Sequence, residues 1–406
     1  MTKFISNVNK YLSEMKIKQA YLSMITGIDK NKMSRLLTGS QEESGTDMEK
    51  IARGLGKNVE FFLADSINIP QIGKMTSNKI AFYAGEPSQK QEQVAKQLME
   101  LMENIEGVTS WIRRKILEKG GDPERETLNI VPDREGRPYY VDEEGQYWRT
   151  YLFIENAATY DQVRSQEDFY ESAVAFGHFQ RMLADFPADT LTETIAGFHD
   201  TKARFAAFEK AVEKDVCGRA AEVQQEIRFI KDRYDVACVL GDLLEAGELP
   251  LRVTHNDTKS NNVLMDNTTG KGLCVIDLDT VMPGLAVNDF GDSIRFGAST
   301  GAEDEKDLSK ISCDMELYDI YAKGFVEGCG GALTDMEIEC LPIGAKVMTY
   351  ECGMRFLTDY LSGDTYFKVD YPTHNLDRTR TQLKLVWDME QKWEQMQEIA
   401  RKYKNK

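Results

Sequence analysis

The sequence predicts an α+β chain in which an all-helical N-terminal bundle precedes a larger part with a few strands and many helices. Residues 4–65 show short amphipathic patterns separated by polar or glycine breaks, which is typical of four or five packed helices. Residues 124–132 and 146–155 have the character of strands and are separated by turns at Gly136 and Gly145. Helical patterns then dominate, notably at 169–186, 220–246 and 379–402.

Length, composition and charge narrow the possible functions. A chain of 406 residues is expected to form two or three domains. No apolar run approaches the length of a membrane span, and the N-terminus lacks a signal-peptide core, so we expect a cytoplasmic protein without membrane contact. The seven cysteines form no Cys-x-x-Cys pair, which favours reduced, buried thiols over disulfides or a zinc site.

The charge is unevenly distributed. The net charge of -17 argues against nucleic-acid binding by the molecule as a whole. Residues 1–66, however, carry about ten basic against about eight acidic side chains. Any contact with DNA is therefore expected from this segment alone.

Residues 18–39, KQAYLSMITGIDKNKMSRLLTG, place a small alanine in one helix and a glycine at a turn before a second helix. With the helices that follow, the segment 1–66 resembles the Cro/repressor-type helix-turn-helix domain. The resemblance implies that the second helix enters a major groove of DNA. The alternative is that its polar side chains only solvate a small bundle. The predicted DNA-contacting residues are Lys30, Asn31, Lys32, Ser34 and Arg35.

Residues 67–105 are predicted to be a linker followed by the start of a long helix. Apolar residues in this helix alternate spacings of four and three, which forms a narrow seam. The seam could pair two subunits in a homodimer, or the helix could pack on its own domain. The seam residues are Val94, Leu98, Leu101, Ile105, Val108 and Ile112.

Two neighbouring runs carry the residue types of a phosphoryl-transfer site: VTHNDTKSNNVLM at 253–265 and CVIDLDT at 274–280. The order His255, Asp257, Asn262 is that of a kinase catalytic loop, and Asp277 ends the next apolar run. Asp257 could accept the proton of a hydroxyl group, while Asn262 and Asp277 could ligate magnesium. A single acidic residue at a strand end is more often only solvated, but the combined spacing favours phosphoryl transfer.

From about residue 104 to the C-terminus, the chain resembles the aminoglycoside-phosphotransferase-like kinase superfamily and, within it, the N-acetylhexosamine 1-kinases. The resemblance is carried by LRVTHNDTK at 251–259, IDLDTVMPG at 276–284, DFGDSIRFGAST at 289–300 and ECGMRFL at 351–357, with further support from LTETIA at 191–196 and FHDT at 198–201.

This resemblance implies a protein-kinase-like phosphotransferase fold, with an upper lobe remnant and hinge at 106–155 and a mainly helical lower lobe at 156–406. ATP would be the phosphoryl donor, Mg²⁺ the metal, and the anomeric hydroxyl of N-acetylglucosamine or N-acetylgalactosamine the acceptor. Asp257 would be the catalytic base and Asp277 would bind magnesium. Arg355 and Tyr366 match positions that contact the sugar.

Other residues receive supporting roles. His255 and Asp289 are expected to brace the catalytic loop, and Lys259 either reaches phosphate or faces water. Asp279 either assists the metal or bonds to the loop backbone. The segment containing Tyr151, Phe153 and Ile154 would form the hinge whose backbone groups bind adenine.

The chain departs from the family at its upper lobe. The family begins this lobe with a hairpin that covers the phosphates, whereas here the helix-turn-helix segment and linker fill that space, so we expect a truncated lobe. A nucleotide misplaced by about 1 Å can lose roughly a hundredfold in rate, so turnover is expected to be impaired. Two functions stay open: a sugar 1-kinase, or a DNA-binding transcriptional regulator whose kinase-like part senses sugar or nucleotide. A non-functional fusion is the third possibility.

Overall fold

The computed structural model describes residues 2–14, 19–55, 57–64, 89–142, 146–160 and 162–404. It divides into two compact units, Met1–Tyr83 and Ala84–Lys406. Most of the predicted linker lies outside the described residues. Within the described ranges, every helix is too short or too polar to cross a membrane.

The described part of the N-terminal unit is helical, as predicted. Asp29 caps the third helix by accepting hydrogen bonds from the backbone N–H groups of Asn31 and Lys32. Ser44 and Asp47 form a reciprocal capping box at the fourth helix. These caps fix where each helix begins, so that the apolar faces meet in one core. The helices are α1 (Lys3–Glu14), α2 (Gln19–Thr26), α3 (Lys30–Thr38), α4 (Gly45–Gly54) and α5 (Val59–Leu63).

The larger unit opens with a long helix, α6 (Gln89–Glu118), and a short one, α7 (Pro123–Glu126). The prediction of a strand from residue 124 is wrong at its start. Asp122 accepts a hydrogen bond from the backbone N–H of Glu124, and Pro123 occupies the first helical turn, which together initiate a helix.

Extended structure follows α7. The segment after residue 128 pairs with the segment before residue 153: Val131 donates to Thr150 (2.8 Å) and Leu152 donates to Asn129 (2.9 Å) through their backbones. Strands β1 (Tyr140–Val141) and β2 (Tyr147–Trp148) pair antiparallel beyond this bridge. The predicted strand pair therefore exists, but it is short.

Helices make up most of the remaining chain, again as predicted. The predicted helix at 220–246 is two helices preceded by a 3₁₀ turn, and the predicted helix at 379–402 is interrupted at Lys392. The helices are α8 (Gln166–Met182), α9 (Thr201–Lys214), α10 (Gln224–Lys231), α11 (Tyr234–Glu245), α12 (Ala286–Gly297), α13 (Met315–Cys329), α14 (Asp335–Glu339), α15 (Leu341–Ser362), α16 (His374–Gln391) and α17 (Trp393–Lys404).

Five short strands lie between these helices and hold the loops of the candidate site. They are β3 (Ala157–Ala158), β4 (Arg252–Thr254), β5 (Val263–Asp266), β6 (Gly272–Val275) and β7 (Met282–Gly284). Strands β3, β5 and β6 form one antiparallel sheet in that order, and β4 pairs antiparallel with β7. The loop after β4 and the loop after β6 consequently lie beside each other.

The seam of α6 is used within its own unit. Ile105, Val108 and Ile112 are buried in a cluster that includes residues of α8 and β6. Asn104 is also buried, and its amide group bonds to the backbone of Thr192 and Val281. This part of the seam packs on its own domain, so it is not available to pair two subunits.

All seven cysteines are free thiols. Four of them are buried as predicted, but Cys217 is exposed because it lies in the turn after α9.

Glycines allow α8 and α13 to approach at backbone distance. A Cβ atom on Gly328 would lie 3.0 Å from the backbone nitrogen of His178 and 3.1 Å from the Cα of Gly177. We expect Gly328→Ala to lower the free energy of unfolding by about 1–3 kcal/mol, because two packed backbones must separate. In the control Gly107→Ala, the new methyl group meets only a ring atom of Phe186 at 3.8 Å, so stability should stay equal or rise by about 0.5–1 kcal/mol. Thermal unfolding of both variants checks this; equal stability of the two would contradict the close packing.

Candidate active site

The loop between β4 and β5 carries the predicted catalytic residues and is anchored by His255. The side chain of His255 is fully buried, with its ring edge-on to Phe176 and Phe179 at 5.4 and 6.1 Å. Its Nε2 lies 2.8 Å from the carbonyl oxygen of Ile276, and its Nδ1 accepts from the backbone N–H of Asp257 at 3.3 Å. His255 therefore ties the catalytic loop to the chain that leads into Asp277.

Asp289, near the start of α12, also holds the catalytic loop through hydrogen bonds. Its carboxylate is 1% exposed and accepts from the backbone N–H groups of His255 (2.9 Å) and Asn256 (2.8 Å), and from Nε2 of Gln180 (2.8 Å). Burial raises the pKa of Asp289, and the nearby His255 and these hydrogen bonds oppose the rise. Because its carboxylate accepts from two backbone N–H groups of the loop, Asp289 fixes the loop conformation.

Asp257 projects from this loop and is half-buried. Lys259 Nζ lies 2.7 Å from one carboxylate oxygen, and Nδ2 of Asn262 lies 3.2 Å from the other. Burial alone would lower the pKa of Lys259, but the charge of Asp257 outweighs it and that pKa is raised. The lysine thus stays cationic beside Asp257, while the amide oxygen of Asn262 is the atom that could reach a metal.

Asp277 and Asp279 lie on the turn between β6 and β7, at residues 276–280, which we call the metal loop because the sequence predicts metal ligands there. Asp277 adopts a left-handed backbone conformation, with φ 59° and ψ 57°. Its side chain is solvent-accessible, yet desolvation by the surrounding protein raises the pKa of Asp277, and the charges of Asp279 and Asp257 raise it further. Asp279 is paired with the guanidinium of Arg149. Asp257 is therefore within electrostatic reach of Asp277, although they come from different loops.

These carboxylates fit a magnesium ion. They repel one another, and a divalent cation would offset that repulsion through oxygen ligands. Among the described residues, no three His, Cys, Asp or Glu side chains are arranged to hold a metal by themselves. Magnesium commonly uses only one or two carboxylates together with substrate phosphates, and Asp277 with Asn262 could provide such a partial site.

The predicted hinge residues have three different environments. Ile154 is buried in the cluster beneath α6, Tyr151 is half-buried, and the side chain of Phe153 is 86% exposed. Within the described ranges, the backbone N–H and C=O groups of Phe153 and Ile154 have no hydrogen-bond partner. Such backbone groups are free to bind a nucleobase.

The predicted acceptor side is built on α15. The guanidinium of Arg355 lies 5.6, 5.8 and 5.5 Å from the ring centres of Phe198, Tyr366 and Phe367. Asp359, one turn further along α15, accepts from the backbone N–H groups of Tyr366 and Phe367 at 2.9 Å each. In the described part of the chain, no hydrogen bond or ion pair uses Arg355, so its donors remain available to a ligand.

The predicted DNA-contacting residues lie on α3 in the other unit. Three of them are exposed and two are half-buried, one of which pairs with Asp47 at 2.7 Å. The exposed residues are Lys30, Asn31 and Arg35, and the half-buried ones are Lys32 and Ser34.

Residues 123–319, a little under half of the chain, match the model of the family described as APH, phosphotransferase enzyme family. This range contains the catalytic loop, the metal loop and α12.

Three solved phosphotransferase structures are similar to this chain at a low level. An aminoglycoside phosphotransferase from Alicyclobacillus acidocaldarius is 12% identical, with a TM-score of 0.49 over 75% of this chain and 84% of that one. A choline kinase from Cryptosporidium parvum is 14% identical, with a TM-score of 0.42 over 69% and 78%. A choline/ethanolamine kinase family protein from Mesorhizobium loti is 16% identical, with a TM-score of 0.40 over 72% and 82%. Because each TM-score is below 0.5, these similarities are not evidence for a shared fold.

The sequence prediction missed a buried polar pair next to the predicted acceptor side. Nδ1 of His199 lies 2.9 Å from one oxygen of Glu351, and the hydroxyl of Thr201 donates to the other at 2.6 Å. Burial would raise the pKa of Glu351, but His199 and these hydrogen bonds outweigh it, so the pKa is lowered. A carboxylate within the apolar run of α15, one turn before Arg355, was the signal that could have revealed this pair.

We expect Glu351→Gln to lower the free energy of unfolding by about 1.5–3 kcal/mol at pH 7, because a buried charge-assisted network is lost. The folded-state pKa of Glu351 is below its ordinary value of 4.5, so its contribution is complete above that pH and is lost as the pH falls through the folded-state pKa. The difference from the wild type should therefore shrink in acid.

Urea unfolding at several pH values measures this difference. The control Glu394→Gln removes an exposed carboxylate on α17 and should match the wild type throughout. A Glu351→Gln variant as stable as the wild type at pH 7 would contradict the network.

Proposed function

We propose that the larger unit is an ATP- and magnesium-dependent kinase that phosphorylates the anomeric hydroxyl of an N-acetylhexosamine. The observation that carries this proposal is the convergence of Asp257 and Asp277, close enough for one charge to raise the pKa of the other. The APH family match supports a phosphotransferase with a hydroxyl acceptor. The resemblance to N-acetylhexosamine 1-kinases supplies the acceptor class.

The residues divide the chemistry between them. Asp257 accepts the proton of the acceptor hydroxyl as the oxygen attacks the terminal phosphorus of the nucleotide. Lys259 holds Asp257 in place through their 2.7 Å contact. Asn262 and Asp277 would ligate the metal, and a bound magnesium ion supplies charge neutralisation for the phosphates. The free backbone groups of Phe153 and Ile154 would bind the base.

The charge of the acceptor side favours a neutral, oxygen-rich acceptor. Arg204 is half-buried, and this partial burial lowers the pKa of Arg204, with the charge of the nearby Arg355 adding to the effect. Two neighbouring guanidinium groups repel a cationic amino alcohol such as choline or ethanolamine, which name several of the similar solved kinases. A sugar can instead accept hydrogen bonds from Arg355 while its ring rests on Tyr366.

We expect the protein with MgATP to convert N-acetylglucosamine or N-acetylgalactosamine to the sugar 1-phosphate, with little product from choline or ethanolamine. Asp257→Asn should reduce the rate by about 10²–10⁴-fold, because the proton acceptor is lost. Coupled ADP release and phosphorus NMR of the product provide the measurement. Asp235→Asn, an exposed position at the start of α11, is the matched control and should retain wild-type activity.

If ADP release from the wild type does not exceed that from Asp257→Asn with any of these acceptors, the kinase proposal fails. Preferential phosphorylation of choline would retain a kinase but overturn the sugar assignment.

A second candidate is a DNA-binding regulator whose kinase-like unit senses sugar or nucleotide. The observation that favours it is the exposure of Lys30, Asn31 and Arg35 on one helix that is capped at its N-terminus by Asp29. By the helix-turn-helix resemblance, these side chains would face phosphates and base edges.

We expect the full chain to select a DNA site from a random library, with affinity falling steeply as salt rises. Arg35→Ala should weaken binding by roughly 10-fold, because a charge-assisted contact is lost, whereas the control Lys50→Ala on α4 should change it little. Fluorescence anisotropy measures both. Equal binding by the two variants would remove α3 as the contact, and affinity unaffected by added sugar or nucleotide would remove the sensing role.

A further inference from the structure

Arg149 lies just after β2, in the extended segment that leads into the predicted hinge. Its side chain contacts the metal loop. Backbone hydrogen bonds of Thr150 and Leu152 hold this segment extended against residues 129–131. Side chains therefore alternate between two faces. Arg149 is on the inward, half-buried face with Tyr147 and Tyr151, whereas Trp148, Thr150 and Leu152 are exposed.

Three contacts fix the guanidinium group of Arg149. It pairs with Asp279, its Nη1 lies 3.6 Å from the sulfur of Met102 on α6, and its centre lies 5.1 Å from the ring of Tyr151. These contacts come from α6, the hinge strand and the metal loop. Arg149 therefore stands where the upper part of the unit meets the carboxylates predicted to bind magnesium.

The ion pair with Asp279 does not by itself explain why Arg149 is held in this position. The side chain of Arg149 is 16% exposed and that of Asp279 is 49% exposed. A pair with one partner so open to water contributes little to stability, while placing a guanidinium in a largely buried position has a desolvation cost. A positive charge held at this point is better explained by an anionic ligand.

We propose that Arg149 is a phosphate-binding residue of the nucleotide site. The proposal rests on the proposed kinase function. Arginine has five N–H donors in a planar fork, so Arg149 can keep one donor on Asp279 while others bind phosphate oxygens.

Lys259 does not serve the same purpose. Its ammonium group is 2.7 Å from Asp257, so Lys259 is already paired with the predicted base. Two other arginines near the upper part of the unit are directed elsewhere: Arg113 bonds to Asn129, and Arg125 pairs with Asp266. Among these described cations, Arg149 is the one paired with the metal loop.

The test compares binding of adenosine and of MgADP to the full chain by isothermal titration calorimetry, with activity recorded in parallel. Arg149→Met should weaken MgADP by about 10- to 100-fold, the loss expected for charge-assisted hydrogen bonds, and leave adenosine within about twofold. Arg149→Lys should lose less, because it keeps the charge without the fork. Arg114→Met removes an exposed arginine of α6 and should bind both ligands like the wild type.

Equal weakening of adenosine and MgADP by Arg149→Met would assign Arg149 a purely structural role and overturn the proposal; thermal unfolding of each variant accompanies the titrations. Unchanged MgADP affinity in Arg149→Met, with a wild type that binds and transfers phosphate, overturns the role of Arg149 alone. A wild type that binds neither ligand overturns the kinase function and this proposal together.

Discussion

The buried carboxylate of Asp289 is the constraint on which the candidate site depends. A carboxylate that is 1% exposed would be costly without hydrogen bonds. Two of its three donors are backbone N–H groups of the catalytic loop, at His255 and Asn256. If the loop changed its conformation, the buried carboxylate of Asp289 would lose these hydrogen bonds. The interaction that positions the catalytic loop therefore also stabilises the core at α12.

Apolar packing holds the metal loop in place, whereas hydrogen bonds hold the catalytic loop. Leu278 is 1% exposed and lies in the cluster that contains Ile105 and Val108 of α6. Its burial orients the two flanking aspartates away from that apolar cluster, and Asp277 takes up a left-handed conformation in doing so. The position of α6 consequently determines where Asp277 and Asp279 stand relative to Asp257. Asn104 adds a polar constraint on α6 through Val281, just beyond the metal loop.

Local sequence patterns predicted many of the helices and the positions of the catalytic and metal loops in the chain. The catalytic and metal loops are short strand-to-loop segments, so the spacing of His255, Asp257 and Asp277 was readable directly. The helices followed from their apolar periodicity. The error at residue 124 came from giving strand-forming residues more weight than the cap formed by Asp122 and Pro123. The break at Lys392 has neither glycine nor proline to announce it.

Contacts between distant segments were not predictable in this way. Arg149 and Asp279 are 130 residues apart, and His199 and Glu351 are 152 apart. Neither pair has a local spacing that marks it, because three-dimensional packing brings them together. The absence of a glycine-rich loop predicted a truncated upper lobe. Nothing in the sequence indicated that Arg149 would lie beside the metal loop.

The distribution of charge differs between the two proposed ligand regions. On the acceptor side, Glu351 is satisfied by His199 and Thr201, so its carboxylate does not neutralise Arg355 by direct contact. The donors of Arg355 therefore stay open to a neutral, oxygen-rich molecule. Near the predicted metal ligands, Arg149 is paired with Asp279. Asp257 has the ammonium group of Lys259 at 2.7 Å and lies within electrostatic reach of Asp277. The predicted base is therefore near the carboxylate predicted to bind the metal.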